Sequence, residues 1–273
     1  MFKRLITGII LIVLVVLAIF FLRFSIFVTL TSLLILFAAW EWGVLIGFDR
    51  YLYRCIYVAC VGIAIFCVWH VGMSRTWTLV LLISNVFWWL IALFLIASYP
   101  KSAVLWGEGI WMRSLMGIFV LVPCWLALNM IRAMQDGSMI LMFMLVLVWS
   151  ADIGAYFVGK WCGKHKLAVQ VSPKKTWQGL CGGMLLVLLM AVVGCIAFNI
   201  ILPHWFVVIV LAIVTALFSV IGDLLESMLK RYVNIKDTAN YLPGHGGILD
   251  RIDSLTAAAP IFLLGCLLLG VVN

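Results

Sequence analysis

The sequence predicts an all-α polytopic membrane protein with about nine transmembrane helices and a polar active-site cavity that faces the cytoplasm. Of its 273 residues, 67% are apolar and only 10% are charged, and the mean hydropathy is +1.26. A soluble domain has about 25% charged residues. The chain therefore has too few polar side chains to cover a water-exposed core. Because of this composition, the net charge of +8 does not indicate a nucleic-acid partner.

Nine apolar runs are candidate spans, because a helix needs about 20 apolar residues to cross the hydrocarbon core. They are residues 5–22, 24–40, 55–73, 77–98, 114–131, 138–159, 177–202, 204–225 and 254–272. The first run is similar to a signal peptide, but it is long and aliphatic and lacks a small-residue cleavage site, so we interpret it as a span. We divide the chain into N-terminal transmembrane helices over 1–150, about five and part of a sixth, and a C-terminal catalytic transmembrane region over 151–273.

The distribution of Lys and Arg predicts the orientation in the membrane. With a cytoplasmic N-terminus, fifteen of the eighteen basic residues fall on the cytoplasmic side, and only Arg23, Arg75 and Arg132 fall on the other. Basic residues concentrate in the cytoplasmic loops of membrane proteins. The polar loops 160–176 and 226–253 are therefore expected on the cytoplasmic side.

Two acidic residues interrupt apolar spans. Asp152 lies in the sixth span, and Asp223 lies just before the end of the eighth, one helical turn from Glu226. An acidic side chain costs about 2.5–3.5 kcal/mol at the centre of a membrane helix, so both residues are candidates for function. The alternative is that each forms an ion pair with Lys or Arg that only joins two helices.

The loop after Asp223 combines three features of a metal-bridged phosphate site. Glycines in the segment Pro243-Gly244-His245-Gly246-Gly247 allow the backbone to approach an anion. Asp250 and Asp253 offer the oxygen ligands that Mg²⁺ prefers. Basic side chains neutralise phosphate, and arginines do so with two parallel hydrogen bonds. These basic residues are Lys230, Arg231, Lys236 and Arg251.

A second basic segment, 160–176, places Lys174 and Lys175 between Ser172-Pro173 and Thr176. This pattern predicts the start of a helix, where backbone N–H groups bind anions. The alternative is a basic loop beside anionic lipid headgroups. Nearby, Gly179 and Gly183 form a G-x-x-x-G pattern that is typical of close helix packing.

The segment from Ser227 to Asp253 resembles the signature of phosphatidate cytidylyltransferases, also called CDP-diacylglycerol synthases. That pattern is Ser-x-x-Lys-Arg, four residues, Lys-Asp and later Pro-Gly-His-Gly-Gly-x-x-Asp-Arg-x-Asp, and every position matches. Segments 152–167, 172–179 and 222–227 are also similar, so the resemblance covers about residues 150–254. One position departs from the family, because Ile153 stands where Thr is usual.

The resemblance implies an enzyme of phospholipid biosynthesis that joins CTP to phosphatidic acid, giving CDP-diacylglycerol and pyrophosphate. It implies Mg²⁺ held by Asp223 and Asp250, a second monovalent cation such as K⁺, and a homodimer in a bacterial inner membrane. Catalytic roles are expected for Asp223, Asp250, Lys230, Arg231, Lys236, Asp237 and Arg251. Substrate contacts are expected from Asp152, Ser172, Lys174, Lys175, Thr176, Ser227, His245, Gly246, Gly247 and Asp253. His245 remains open among a general base, a phosphate donor and a plain loop residue.

The residue chemistry fits this reaction. Both reactants are anions, so the site must reduce their repulsion and hold their geometry. A phosphate monoester is already an anionic nucleophile, so no strong base is needed. A CTP-dependent polyprenol or phytol kinase is the alternative enzyme, and it would need a base because its acceptor is a neutral alcohol. A CDP-alcohol phosphotransferase is disfavoured because its Asp-Gly-x-x-Ala-Arg core is absent. An ion-coupled transporter is disfavoured because the polar residues gather at one face and no repeat is visible.

Overall fold

The computed structural model describes the backbone of residues 2–71, 74–239 and 246–269, and the side chains of these residues except 2–6 and 71. Within these ranges the chain forms ten helices and one two-stranded antiparallel sheet. The helices are α1 (Phe2–Phe21), α2 (Phe24–Ile46), α3 (Tyr51–Val71), α4 (Arg75–Ala97), α5 (Ala103–Trp106), α6 (Ile110–Ala133), α7 (Gly137–Cys162), α8 (Trp177–Ala197), α9 (Leu202–Tyr232) and α10 (Leu249–Leu268). The strands β1 (Lys166–Ala168) and β2 (Ser172–Thr176) lie between α7 and α8.

The predicted all-α polytopic membrane fold is confirmed. Eight helices in the described ranges are long and apolar enough to cross a membrane, namely α2, α3, α4, α6, α7, α8, α9 and α10. The remaining predicted span, residues 5–22, corresponds to α1, in which the apolar part with described side chains, Thr7–Phe21, is shorter than a span. Two of the spanning helices, α6 and α10, bury most of their surface and form the interior of the bundle.

Several helices continue beyond the predicted spans into charged sequence. Helix α2 ends at Ile46 instead of residue 40, α9 ends at Tyr232 instead of 225, and α10 begins at Leu249 instead of 254. The predictions ended each span at its first charged residues. A helix instead continues while its backbone and side-chain partners are satisfied. As a result, part of the predicted loop 226–253 is helical and its charged residues are held on rigid elements.

Residues 166–176 form a β-hairpin instead of a simple loop before α8. Lys166 pairs with Thr176 and Ala168 pairs with Ser172 across the two strands. Lys174 and Lys175 directly precede a helix, as predicted, but they lie on β2 and not in the first turn of α8. The helix begins just after them, where the Thr176 hydroxyl accepts a hydrogen bond from the Gly179 N–H at 3.1 Å. Such a short, polar strand has no apolar alternation to reveal it in the sequence.

Small residues bring α7 and α8 into backbone contact. A Cβ atom added to Gly183 would lie 2.6 Å from the carbonyl oxygen of Ala151, and one on Gly179 would lie 2.8 Å from that of Ala155. The predicted packing role of these two glycines is confirmed, since larger side chains would separate the helices. Helices α9 and α10 approach similarly at Gly222, where an added Cβ would lie 2.5 Å from the Asp253 carbonyl oxygen.

Candidate active site

A cavity of about 460 Å³ lies between α7, α8, α9 and the hairpin. Its charged and hydroxyl-bearing lining residues are Asp152, Lys160, Lys174, Lys175, Tyr156, Thr176 and Asp223. Apolar side chains such as Leu180, Met184 and Val220 complete the wall. A cavity with both charged and apolar walls suits a ligand that is itself partly charged and partly apolar. The fold thus brings together five predicted site residues from the sequence segments around 152, 174 and 223.

An ion pair between β2 and α9 lies at this cavity. The Lys175 Nζ is 2.7 Å from the Asp223 Oδ2, and the side chains of the two residues are 25% and 27% exposed. The other carboxylate oxygen, Oδ1, accepts a hydrogen bond from the Ser227 hydroxyl at 3.2 Å. We call Asp152, Lys174, Lys175, Thr176 and Asp223 the hairpin half of the site. Its ion pair is accessible from the cavity, so its members can change partners.

A second, more buried ion pair joins α9 to α10. The Lys230 Nζ lies 2.7 Å from the Asp250 Oδ1 and 3.0 Å from the Glu226 Oε1. The Asp250 Oδ2 accepts hydrogen bonds from the backbone N–H of Thr238 at 3.1 Å and of Gly247 at 2.8 Å. Both oxygens of Asp250 are therefore engaged by groups of the protein itself. We call Glu41, Glu226, Lys230, Thr238, Gly247 and Asp250 the loop half of the site.

Glu41, a residue that the sequence reasoning missed, belongs to this loop half. Its carboxylate is almost completely buried, at 1% exposure. It accepts hydrogen bonds from the backbone N–H groups of Ile248 at 2.9 Å and Leu249 at 2.8 Å, and from the Thr238 hydroxyl at 2.9 Å. The available signal was an acidic residue flanked by Trp40 and Trp42 in an apolar run. It was passed over because the predicted span ended at residue 40.

The glycines of the loop approach an anion, as predicted, but the anion is a carboxylate of the protein. Gly246 has a φ of +77°, and a Cβ atom there would lie 2.6 Å from the Asp250 Oδ2. A Cβ atom on Gly247 would collide with the Glu41 carboxylate. Only glycine allows the backbone to adopt this conformation and to pass between the two acids. Contact of Gly246 and Gly247 with substrate stays a prediction.

Negative charge accumulates around Asp152 and Asp223 of the hairpin half and Asp253 of α10. Asp152, Asp223 and Asp253 repel one another. Within the described side chains, neither Asp152 nor Asp253 forms an ion pair, and the Asp253 carboxylate accepts one hydrogen bond there, from the backbone N–H of Ser254 at 2.7 Å. Hard carboxylate oxygens with unbalanced charge suit Mg²⁺. However, no group of three or more His, Cys, Asp or Glu side chains in the described ranges is arranged as a metal site.

The remaining predicted residues belong to neither half of the site. Arg231 is exposed, and its Nε donates to the Val171 carbonyl oxygen in the hairpin turn at 3.3 Å. Lys236, Asp237 and Arg251 are also exposed, and none of them has an ion pair among the described side chains. Ser172 lies on β2. His245 lies outside the described residues.

Comparisons with known proteins all indicate the same family. The sequence matches the cytidylyltransferase family over residues 2–269. It is 38% identical over 260 residues to the phosphatidate cytidylyltransferase of Pseudomonas aeruginosa, and the matched region covers 95% of this chain and 94% of that protein. It is 35% identical over 278 residues to the phosphatidate cytidylyltransferase of Haemophilus influenzae, covering 95% and 96% of the two chains. A protein of the same name from Bacillus subtilis is 42% identical over 132 residues, about half of each chain.

Proposed function

The chain belongs to the cytidylyltransferase family, and we propose that it transfers the cytidylyl group of CTP to phosphatidate, giving CDP-diacylglycerol and pyrophosphate. The observation that carries this proposal is the cavity among membrane helices in which Asp152, Lys175 and Asp223 face apolar side chains. A lipid phosphate suits such a boundary, because its headgroup is charged and its acyl chains are apolar, and the charged wall also suits the phosphates of a nucleotide. Relatives that match nearly the whole chain carry the name of this activity.

The proposed reaction needs no external oxidant or base. A phosphate oxygen of phosphatidate forms a bond to the α-phosphorus of CTP, and the bond from that phosphorus to the bridging oxygen of the β-phosphate breaks. The electron pair leaves with pyrophosphate. Positioning and charge stabilisation supply most of the catalysis in such transfers. The site must therefore hold two anions together and stabilise a third that leaves.

The lysines of the hairpin half and three exposed basic residues are suited to bind these anions. Lys174 and Lys175 line the cavity, and Lys175 is partly exposed. Either ammonium group can therefore bind a phosphate oxygen that enters the cavity. Arg231, Lys236 and Arg251 are exposed and offer further donors, and an arginine binds two phosphate oxygens at once. Ser227 would keep the Asp223 carboxylate oriented through their hydrogen bond.

We propose that Mg²⁺ takes part, with Asp223 and Asp250 as its ligands. Asp152 and Asp253, which repel Asp223, have no ion pair among the described side chains. This unbalanced charge supports a bound cation, and carboxylate oxygens are the ligands that Mg²⁺ prefers. When bound, such an ion neutralises nucleotide phosphates and the leaving group. A second, monovalent cation such as K⁺ belongs to the same proposal.

We further propose a bacterial inner-membrane location with the N-terminus and the site on the cytoplasmic side. The distribution of basic residues supports this orientation, as does the need for CTP. The test uses a cysteine-free background with single Val169→Cys and Ser74→Cys variants, whose parent residues are exposed at opposite predicted sides. An impermeant maleimide on intact cells should label only Ser74→Cys, and permeabilisation should expose Val169→Cys. If only Val169→Cys were labelled in intact cells, the protein would have the opposite orientation to the one that we propose.

Product analysis of the purified protein tests the activity itself. With CTP labelled at the α-phosphate, phosphatidate and Mg²⁺, we expect labelled lipid, and with γ-labelled CTP we expect labelled pyrophosphate. Label from the γ-phosphate that appears in lipid would instead indicate the CTP-dependent lipid kinase. Omission of Mg²⁺ and replacement of K⁺ by Na⁺ test the two cations. Light scattering in detergent tests the homodimer that we propose on the basis of the family resemblance.

A further inference from the structure

The buried carboxylate of Glu41 connects the N-terminal helices to the loop half of the site. Glu41 lies on α2, and its three hydrogen-bond partners are 197, 207 and 208 residues away along the chain. Within the described side chains it has no Lys or Arg in ion-pair distance. A buried carboxylate without a cation is costly unless donors satisfy it. Here the Thr238 hydroxyl and the backbone N–H groups of Ile248 and Leu249 satisfy both of its oxygens.

Two of these donors are at the start of α10. The first N–H groups of a helix have no partner within the helix, and the residue before α10, Ile248, provides no side-chain cap. Glu41 supplies the missing acceptor from another helix, with Oε1 bound to the Ile248 N–H and Oε2 bound to the Leu249 N–H. A negative charge at this end also interacts favourably with the helix dipole. The cap fixes where α10 begins, one residue before Asp250.

The third donor links Glu41 to Asp250. The Thr238 hydroxyl lies 2.9 Å from the Glu41 Oε2 and 3.1 Å from the Asp250 Oδ2. A hydroxyl has one proton, so it can donate fully to only one of the two carboxylates at a time. The Thr238 backbone N–H donates to Asp250 as well. The loop residue is thus held between the two acids, and a shift of Glu41 changes the surroundings of Asp250 directly.

We propose that Glu41 is a positioning residue for catalysis, which fixes the start of α10 and, through Thr238, the orientation of the Asp250 carboxylate. This inference rests on the proposed function, because Asp250 is placed in the site by that proposal. Glu41 does not contact substrate in this role. Its effect is on how well the loop half is preorganised, and small errors in such geometry reduce turnover strongly.

The test compares Glu41→Gln with Glu108→Gln, a matched change at an exposed position. Gln keeps the size of Glu41 but replaces one oxygen by an NH₂ donor. Because the two helix N–H groups bind different oxygens of Glu41, one of them would then face a donor. We expect kcat to fall by about tenfold or more with the CTP KM changed by less than about threefold, the pattern of lost geometry at the reacting centre. Glu108→Gln should match the wild type in both constants.

A second measurement does not depend on activity. Hydrogen exchange followed by mass spectrometry should show faster exchange at Ile248 and Leu249 in Glu41→Gln, in a variant that remains folded at the assay temperature. Thr238→Val removes the shared hydroxyl, and its effect on kcat should combine with that of Glu41→Gln less than additively, because the two residues act through one contact. Glu41→Asp, which keeps the charge, should restore part of the activity.

Each outcome decides the question. Unchanged exchange at Ile248 and Leu249 would overturn the cap, whether or not the protein makes CDP-diacylglycerol. Normal kcat with faster exchange would leave Glu41 a purely structural residue and overturn the positioning role. A lower melting temperature with normal kcat per folded protein would do the same. If the wild-type protein makes no CDP-diacylglycerol, the proposed function fails, while the exchange experiment still tests the cap.

Discussion

The two halves of the site contain the same ion pair in different surroundings. In each half a lysine Nζ lies 2.7 Å from an aspartate oxygen. The side chains of Lys175 and Asp223 are 25% and 27% exposed, whereas those of Lys230 and Asp250 are 13% and 4% exposed. An accessible pair can exchange its partner for a substrate phosphate, but a buried pair loses much more when it is broken. The hairpin half is thus suited to binding, and the loop half to holding geometry.

The surrounding hydrogen bonds reinforce this contrast. Asp223 has one further partner, the hydroxyl of Ser227. Asp250 has donors from Thr238 and Gly247 in addition to Lys230, and Glu41 holds the same loop from the other side. In a buried hydrogen-bond network, removal of one member leaves its partners unpaired. The contrast between the halves can therefore be tested by changing one carboxylate in each.

Asp250→Asn is expected to have the largest effect, because it changes activity and stability together. The amide cannot balance the charge of Lys230, and its NH₂ group would face donors of the loop. Removal of one partner from a buried ion pair costs about 3–5 kcal/mol. We therefore expect loss of CDP-diacylglycerol synthesis and a clearly lower melting temperature in detergent. Asp49→Asn, at an exposed position, is the control. An inactive Asp250→Asn with wild-type melting would contradict the structural role of the loop half.

Asp223→Asn should abolish activity while the protein stays as stable as the wild type. Its ion pair with Lys175 is partly exposed, and such pairs contribute about 0–1 kcal/mol. Loss of a proposed metal ligand should still remove several kcal/mol of transition-state stabilisation. The same assay and melting experiment, run beside Asp250→Asn, measures both quantities. Activity near that of the wild type would refute the metal assignment, and strong destabilisation would remove the difference between the halves.

The sequence was sufficient to predict the membrane fold and several of the residues that line the cavity. Apolar runs long enough to cross a bilayer are typical of membrane helices, and Asp152 and Asp223 were recognisable as acids within such runs. The folded chain places both at the cavity. Lys174 and Lys175 were also found by their sequence context, and both line that cavity. These predictions depended on local composition, which the sequence carries directly.

Contacts between distant segments were not predictable in this way. Glu41 meets its partners only after the chain has folded, and no local pattern marks a hydrogen bond across about 200 residues. Lys230 and Arg231 were both interpreted as phosphate-binding residues. The structure separates them, because neighbouring helix positions point about 100° apart. Lys230 is buried between Glu226 and Asp250, whereas Arg231 is exposed towards the hairpin turn. For Lys230, the structure therefore adds a stabilising role that the sequence did not reveal.

Substitutions of Arg231 should have the smallest effect and test this separation. Its one described hydrogen bond, to the Val171 carbonyl oxygen, contributes about 0.5–1.5 kcal/mol, so Arg231→Ala should melt nearly as the wild type does. It should still lose most activity if the guanidinium binds phosphate. Arg231→Lys keeps the charge but not the two-pronged donor, so it should retain part of the activity.

Activity and melting measured together on the two variants distinguish phosphate binding from a role in membrane orientation. A basic anchor that only sets the topology needs charge, so Lys would be fully active, and Ala would be active per folded molecule but inserted or folded less well. Phosphate binding predicts the reverse, a stable Ala variant with little turnover and a Lys variant between it and the wild type. Because Arg231 also contacts the hairpin turn, the Lys variant is decisive. The lysine ammonium can still donate to the Val171 carbonyl oxygen. A loss of activity in Arg231→Lys would therefore be due to the missing second hydrogen bond to phosphate.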